Sequence, residues 1–144
     1  MSRQHQGRRH ARRRALQGLY QWHMNAVPAS DIYTQFVETQ DMRNTDMEYF
    51  KQLLVGVIAG VEAWDQFISS YGHIPLVQMD PVERNILRIA FYELRECLDI
   101  PYRVTINEAV ELAKVFGAED GHKYINAVLD KACKTLRSEE QGRP

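Results

Sequence analysis

Helical periodicity runs through nearly the whole chain and limits its fold more than any other feature. From Ile106 the apolar residues Ala109, Val110, Ala113 and Phe116 recur every three or four positions, and Ile125, Val128, Leu129, Ala132 and Leu136 repeat the pattern. That spacing puts side chains on one face of an α-helix. Thr105 and Glu108 have the Thr-x-x-Glu form of a capping box, which predicts a helix start near Thr105. Gly117 follows the last apolar residue, where a left-handed C-terminal cap costs least without a Cβ. Asp120 then stands where an N-cap would open the next helix.

The earlier segments read the same way. A first helix is predicted to begin between Gly7 and Arg12 and to end near Met24, with Leu16, Leu19, Tyr20 and His23 facing inward. Ser30 can cap a short helix through Ile32, Tyr33, Phe36 and Val37. Thr45 and Glu48 form a second capping box before the longest run, where Phe50, Leu53, Leu54, Val57, Ile58 and Val61 make the stripe of a central core helix. Gly56 and Gly60 within it would let another helix approach closely. Gly72 to Pro75 stops the pattern and opens a connector, and Asp80-Pro81-Val82-Glu83 starts a further helix with Val82, Ile86, Ile89, Ala90 and Leu94 inward. Nowhere does a period of two win. The expectation is an all-α protein of about six to seven helices in two small helical bundle halves. Its parts would be a basic arm at 1–14, a helical domain at 15–137 with halves at about 15–71 and 80–137, and a disordered tail at 138–144.

Charge is sorted along the chain. Residues 1–30 hold six arginines and no acid, so 12 of the 18 Lys and Arg remain against all 19 Asp and Glu, a net −7 for the rest. A basic segment on an acidic body is the electrostatic footprint of a nucleic-acid binder. At 100° per residue Arg9 and Arg12 fall on the same side as Leu16 and Tyr20, so the arginines extend the apolar stripe. Arg8, Arg9, Arg12 and Arg13 are the candidate phosphate contacts, with Arg14 projecting away from them. A solvated tail without a specific role is the plain alternative.

Local signatures of catalysis are missing: no phosphate-binding glycine loop, no Gly-x-Ser-x-Gly elbow and no His-Glu-x-x-His. The five histidines are scattered without partners at metal-ligand spacing. No enzyme, metal or cofactor is expected. Cys97 and Cys133 lie within helical patterns and read as reduced thiols of a cytoplasmic protein, and no apolar run approaches the length that spans a bilayer. Tyr124 lies about 100° from the centre of its helix's apolar stripe, on a flank shared with Lys123, Lys131 and Lys134. An aromatic face bordered by amines suits an unstacked RNA base, while packing at the edge of the core explains the same residue. Tyr20, beside the arm, is a further candidate whose hydroxyl could stay wet while its ring packs.

The stretch VTINEAVELAKVFGAEDGHKYINAVLDK, together with RRHARRRALQGLYQW, MEYFKQLLVGV and VERNILRIAFYEL, resembles the NusB family of bacterial transcription antitermination factors. The resemblance covers most of the chain and weakens over the connector GHIPLVQMD and after Arg137. It implies an all-helical protein that binds single-stranded boxA RNA together with NusE, a small-subunit ribosomal protein, within an RNA polymerase antitermination complex that supports ribosomal RNA transcription. The resemblance also implies that Tyr124 and Asp120 lie at positions associated with RNA, and Glu83 at one near the NusE and RNA surface. The alternatives are an RNA-substrate-binding module of the NusB type associated with an RNA methyltransferase, and a helical adaptor that binds no RNA.

Overall fold

A computed structural model describes residues 2–141, which form eight α-helices and one 3-10 turn and, among the described residues, no strand. The helices are α1 (Arg3–Asn25), α2 (Ala29–Thr39), α3 (Met47–Ala59), α4 (Val61–Tyr71), α5 (Pro81–Glu96), α6 (Tyr102–Phe116), α7 (Gly121–Leu136) and α8 (Ser138–Gln141). Chain contacts divide them into two units, Met1–Ala59 and Gly60–Pro144. No single helix among the described residues is long and apolar enough to cross a membrane.

In the first unit α1, α2 and α3 close around Leu16, Leu19, Ile32, Phe36, Phe50, Leu53 and Leu54, all buried. The Phe50 ring stacks on Tyr33 and Phe36 with centroids 5.8 and 5.6 Å away. Gly18 allows the helices to approach this closely, since a Cβ there would meet Leu54 Cδ2 at 2.9 Å and Ile32 Cγ2 at 3.0 Å. The arm is not a separate element. Helix α1 starts at Arg3, where the Ser2 hydroxyl accepts the His5 N–H, and Ala11 and Arg12 are already buried. Tyr20, expected inward, is 43% exposed, because Ala15, Leu16 and Leu19 fill the contact face.

The run expected as one central helix breaks at Gly60, which takes φ −104° and ψ 18° and whose carbonyl accepts the N–H groups of Ala63 and Trp64 to begin α4. A Cβ at Gly60 would lie 2.7 Å from the Trp64 ring, so the indole folds back over a position that only glycine fits. The unit boundary therefore falls at Ala59/Gly60 instead of in the connector after Tyr71. Helix α3 is capped by Asp46, whose Oδ1 accepts the Tyr49 N–H at 3.0 Å, and not by the Thr45 and Glu48 pair.

In the second unit the central element is α5, buried at every residue from Asn85 to Leu94 and packed by α4, α6 and α7. Trp64, Phe67 and Tyr71 of α4 face Phe91 and Tyr92 of α5 in an aromatic stack. Two of its buried charges are paired: Arg88 grips Asp65 through two bonds of 2.7 and 2.9 Å, and Glu93 accepts the Thr105 hydroxyl at 2.8 Å. Asp80 caps α5 as expected, its Oδ1 accepting the Val82 N–H at 2.8 Å. Thr105 and Glu108 are not a capping box. Helix α6 begins at Tyr102, so both sit one turn inside it and are buried. Cys97 and Cys133 are buried and form no disulfide, and desolvation pushes the Cys133 thiol up to about 12.

Residues 138–144 were expected to be disordered, and α8 occupies Ser138–Gln141 within that span; residues 142–144 lie outside the described residues. Arg137, 4% exposed, explains the order. Its guanidinium donates to the carbonyls of Glu93, Leu94, Cys97 and Ile100 at 2.7–3.1 Å and to Glu140 Oε1 at 2.6 Å. Glu140 in turn accepts the Tyr102 N–H at 2.8 Å, which closes the open end of α6.

Candidate nucleic-acid interface

The arginines of α1 divide by burial. Arg8 and Arg12 stand over the Tyr49 ring with guanidinium carbons 5.2 and 5.6 Å from its centroid, and Arg12 is 2% exposed. Two cations on one ring are held by its quadrupole and by packing, each worth about 0.5–2 kcal/mol. Arg12, a candidate phosphate contact from its position in the sequence, is therefore a packing residue in this state, and Arg8 is half-buried beside it. Arg13 is exposed and Arg9 half-buried. Arg14 is anchored at both ends, donating to Gln17 Oε1 at 3.0 Å and to the Asp41 carbonyl at 2.9 Å.

The second group of candidates meets in the other unit, around the α5 and α7 starts. Asp120, not Gly117, is the left-handed residue, at φ 65°, while Gly117 is extended. The Asp120 side chain makes no cap bond to α7 and instead lies 3.2 Å from Lys123 Nζ, an exposed pair worth little in water. Glu83 lies against Gly121 and the Ala118 backbone. Partial burial, and then the neighbouring Asp80, push its carboxyl up from the ordinary range despite a backbone hydrogen bond from Ala118.

Tyr124 is half-buried. Its hydroxyl accepts the Ile74 N–H at 3.1 Å, and His73 meets the ring edge-on at 5.2 Å. The ring borders an open cleft of about 380 Å³ whose rim carries Asp80, Glu83, Glu119 and Asp120. Carboxylates can accept from base amino groups or meet a cationic partner, but they repel phosphate. Lys131 and Lys134 remain exposed along α7. Among the described residues no group of three or more His, Cys, Asp or Glu is placed to hold a metal ion.

Gly72 sets the position of Tyr124, because a Cβ there would collide with the Tyr124 hydroxyl and come within 2.9 Å of the Ile68 carbonyl. Gly72→Ala is expected to expel the ring, break its bond to Ile74 and cost about 1–3 kcal/mol, the usual range for overpacking. Thermal unfolding against the exposed-site control Ser70→Ala measures it. An unchanged melting temperature would mean the connector yields freely.

Taken together, these features define an all-α protein with an arginine-dense first helix and an acidic, aromatic-lined corner on its second unit. The chain belongs to the NusB family, whose model matches residues 9–134. It is 47% identical over 133 residues to the transcription antitermination protein NusB of Colwellia psychrerythraea, an alignment covering 92% of this chain and 96% of that one. Among solved structures it is similar to NusB of T. maritima, with a TM-score of 0.80 at 31% identity over 94% of this chain and 97% of that one. It is also similar to a chain in a crystal structure of antitermination factors NusB and NusE in complex with dsRNA, with a TM-score of 0.77, 27% identity, and 85% and 92% coverage.

Proposed function

We propose that this chain is a transcription antitermination factor that binds RNA together with NusE and has no catalytic step. The observation that carries the reading is α1, where Arg8, Arg9, Arg13 and Arg14 lie within two turns of a helix that the Tyr49 contact holds in place. Arginine in such an array meets phosphate by charge and by forked hydrogen bonds. The name carried by relatives that align over nine-tenths of the chain supports antitermination over the methyltransferase-associated reading.

Labour is divided between the two units. Arg9 and Arg13 hold phosphates of boxA-like single-stranded RNA, with Arg8 contributing at the rim and Arg12 through position. Tyr124, Asp120 and Lys123 receive bases, the ring by stacking and the carboxylate by accepting amino N–H groups. Glu83 and the carboxylates beside it face NusE, a basic ribosomal protein, for which an anionic cleft is complementary. Tyr20, exposed on α1, is available for a base or a partner side chain. The reading places the protein in the cytoplasm, on nascent RNA within the polymerase complex.

Calorimetry of the purified chain with boxA-like single-stranded RNA, a duplex of the same sequence, and NusE tests this. Binding of the single strand that tightens when NusE is added is the expected result. Tighter binding of the duplex, the form named in the similar complex, would transfer the reading to helical RNA. Absence of RNA binding with and without NusE would overturn it.

A further inference from the structure

Resting on the RNA-binding reading, we infer that a groove between α1 and the loop 41–46 binds the phosphate backbone of the RNA, through Arg3, Arg14 and Arg43. None of these three is among the four arginines whose spacing singled them out in the sequence. Arg3, Gly7, His10 and Arg14 fall within about 60° of one another at 100° per residue, so they form one face of α1. That face looks onto the loop through two hollows. One, of about 640 Å³, is lined by His10, Arg14, Asp41, Arg43, Asn44 and Thr45. The other, of about 590 Å³, is lined by Arg3, Gln4 and Gly7 with Asn44, Thr45 and Asp46. Asn44 and Thr45 belong to both, so the hollows adjoin. From Arg3 to Arg14 the groove follows eleven residues of helix, roughly 16 Å at 1.5 Å per residue, the reach of a few nucleotides.

The groove is built rather than incidental. The Asp46 N–H donates to the Gly7 carbonyl at 3.0 Å, which pins the loop to the helix, and Asn44 turns the chain at φ 64°. A Cβ at position 7 would stand 3.4 Å from Asp46 Cβ, in ordinary van der Waals contact, so the helix and the loop are packed against each other there. Both acids in the loop are already committed. Asp46 caps α3, and Asp41 is gripped by the Arg43 backbone N–H at 3.0 Å and by its guanidinium at 3.0 and 2.8 Å, which holds the Asp41 carboxyl well below the usual carboxylate range. Three arginines against two aspartates leave a net positive groove. Arg14 is fixed by Gln17 and the Asp41 carbonyl, and its remaining N–H groups are ordered before any ligand arrives. The Arg43 side chain is 85% exposed beside it, and Asn44 and Thr45 add uncharged donors between the charged ends. Two held guanidiniums, Arg14 and Arg43, and the exposed Arg3, separated by polar, uncharged groups, match a backbone of spaced anions.

The test is the salt dependence of single-stranded RNA binding by Arg14→Gln and Arg43→Gln, with Arg103→Gln on α6 as a charge control and melting temperatures as the folding control. Each groove variant is expected to flatten the plot of log affinity against log salt by roughly 0.7, the slope of one single-strand phosphate contact. If that contribution vanishes near 1 M, the same slope gives a loss of roughly eight-fold at 0.05 M salt. Arg14→Lys should restore the slope, since it keeps the charge while losing the two anchors. Arg103→Gln should change nothing. A parent that binds RNA while both groove variants keep its slope and affinity would overturn the groove and leave the RNA-binding reading standing. A parent that binds no RNA would overturn both.

Discussion

Arg137→Ala is expected to cost about 3–5 kcal/mol of folding stability, the range for leaving buried polar groups without a charged partner. The side chain is 4% exposed and satisfies carbonyls of Glu93, Leu94, Cys97 and Ile100 at the end of α5. Alanine leaves those oxygens without their donor. It also releases Glu140, so the Tyr102 N–H at the start of α6 loses its acceptor. Arg137→Lys keeps the charge but cannot reach four carbonyls from one ammonium, so it should fall between parent and alanine. Denaturant unfolding of the three proteins measures the order. A melting profile for Arg137→Ala indistinguishable from the parent would show that water replaces the guanidinium at no cost.

Removing residues 1–14 is expected to weaken RNA binding and to destabilise the first unit. The sequence alone predicts otherwise, since the segment is polar and the apolar stripe starts at Leu16. The structure buries Ala11 and Arg12 completely or nearly so, seats Arg8 and Arg12 on Tyr49, and ties the Gly7 carbonyl to the Asp46 N–H. Two cation–π contacts, one hydrogen bond and the burial of one methyl group sum to about 3 kcal/mol. That corresponds to a fall in melting temperature of roughly 6–12 °C for a protein of this size. Circular dichroism on the truncated and full chains reads it directly. Retention of the parent's melting temperature would show that the segment is an accessory arm after all.

How much was legible follows from how local each signal is. The stripes of α2, α5 and α7 and the Asp80-Pro81 start of α5 depend on neighbours within a turn, and the sequence states them. Thr105 and Glu108 mimic a cap because the motif is only two residues long, and the buried Glu93 on α5 that Thr105 meets is invisible from spacing. Gly60 reads as one more small residue in a helix until the Trp64 ring is placed over it. Arg137 looks like the first residue of a polar tail, since the carbonyls it serves are 37 to 44 positions away. For the site, density of arginine is legible but its use is not. Nothing in RRHARRR says that Arg12 turns onto Tyr49 while Arg14 turns toward Asp41, because both choices depend on α3 and on the loop before it.

The central claim is that α1 arginines outside the Tyr49 stack hold RNA phosphates, and the salt dependence of RNA affinity in an Arg9→Gln, Arg13→Gln double variant tests it most directly. Both residues lie off the Tyr49 stack, and the melting temperature of the double variant is read beside its affinity so that a loss of binding through unfolding is recognised. The expected result is a plot of log affinity against log salt flatter by roughly 1.4, two single-strand phosphates' worth, with similar weakening across RNA sequences. A folded double variant whose slope and affinity equal the parent's would contradict the account.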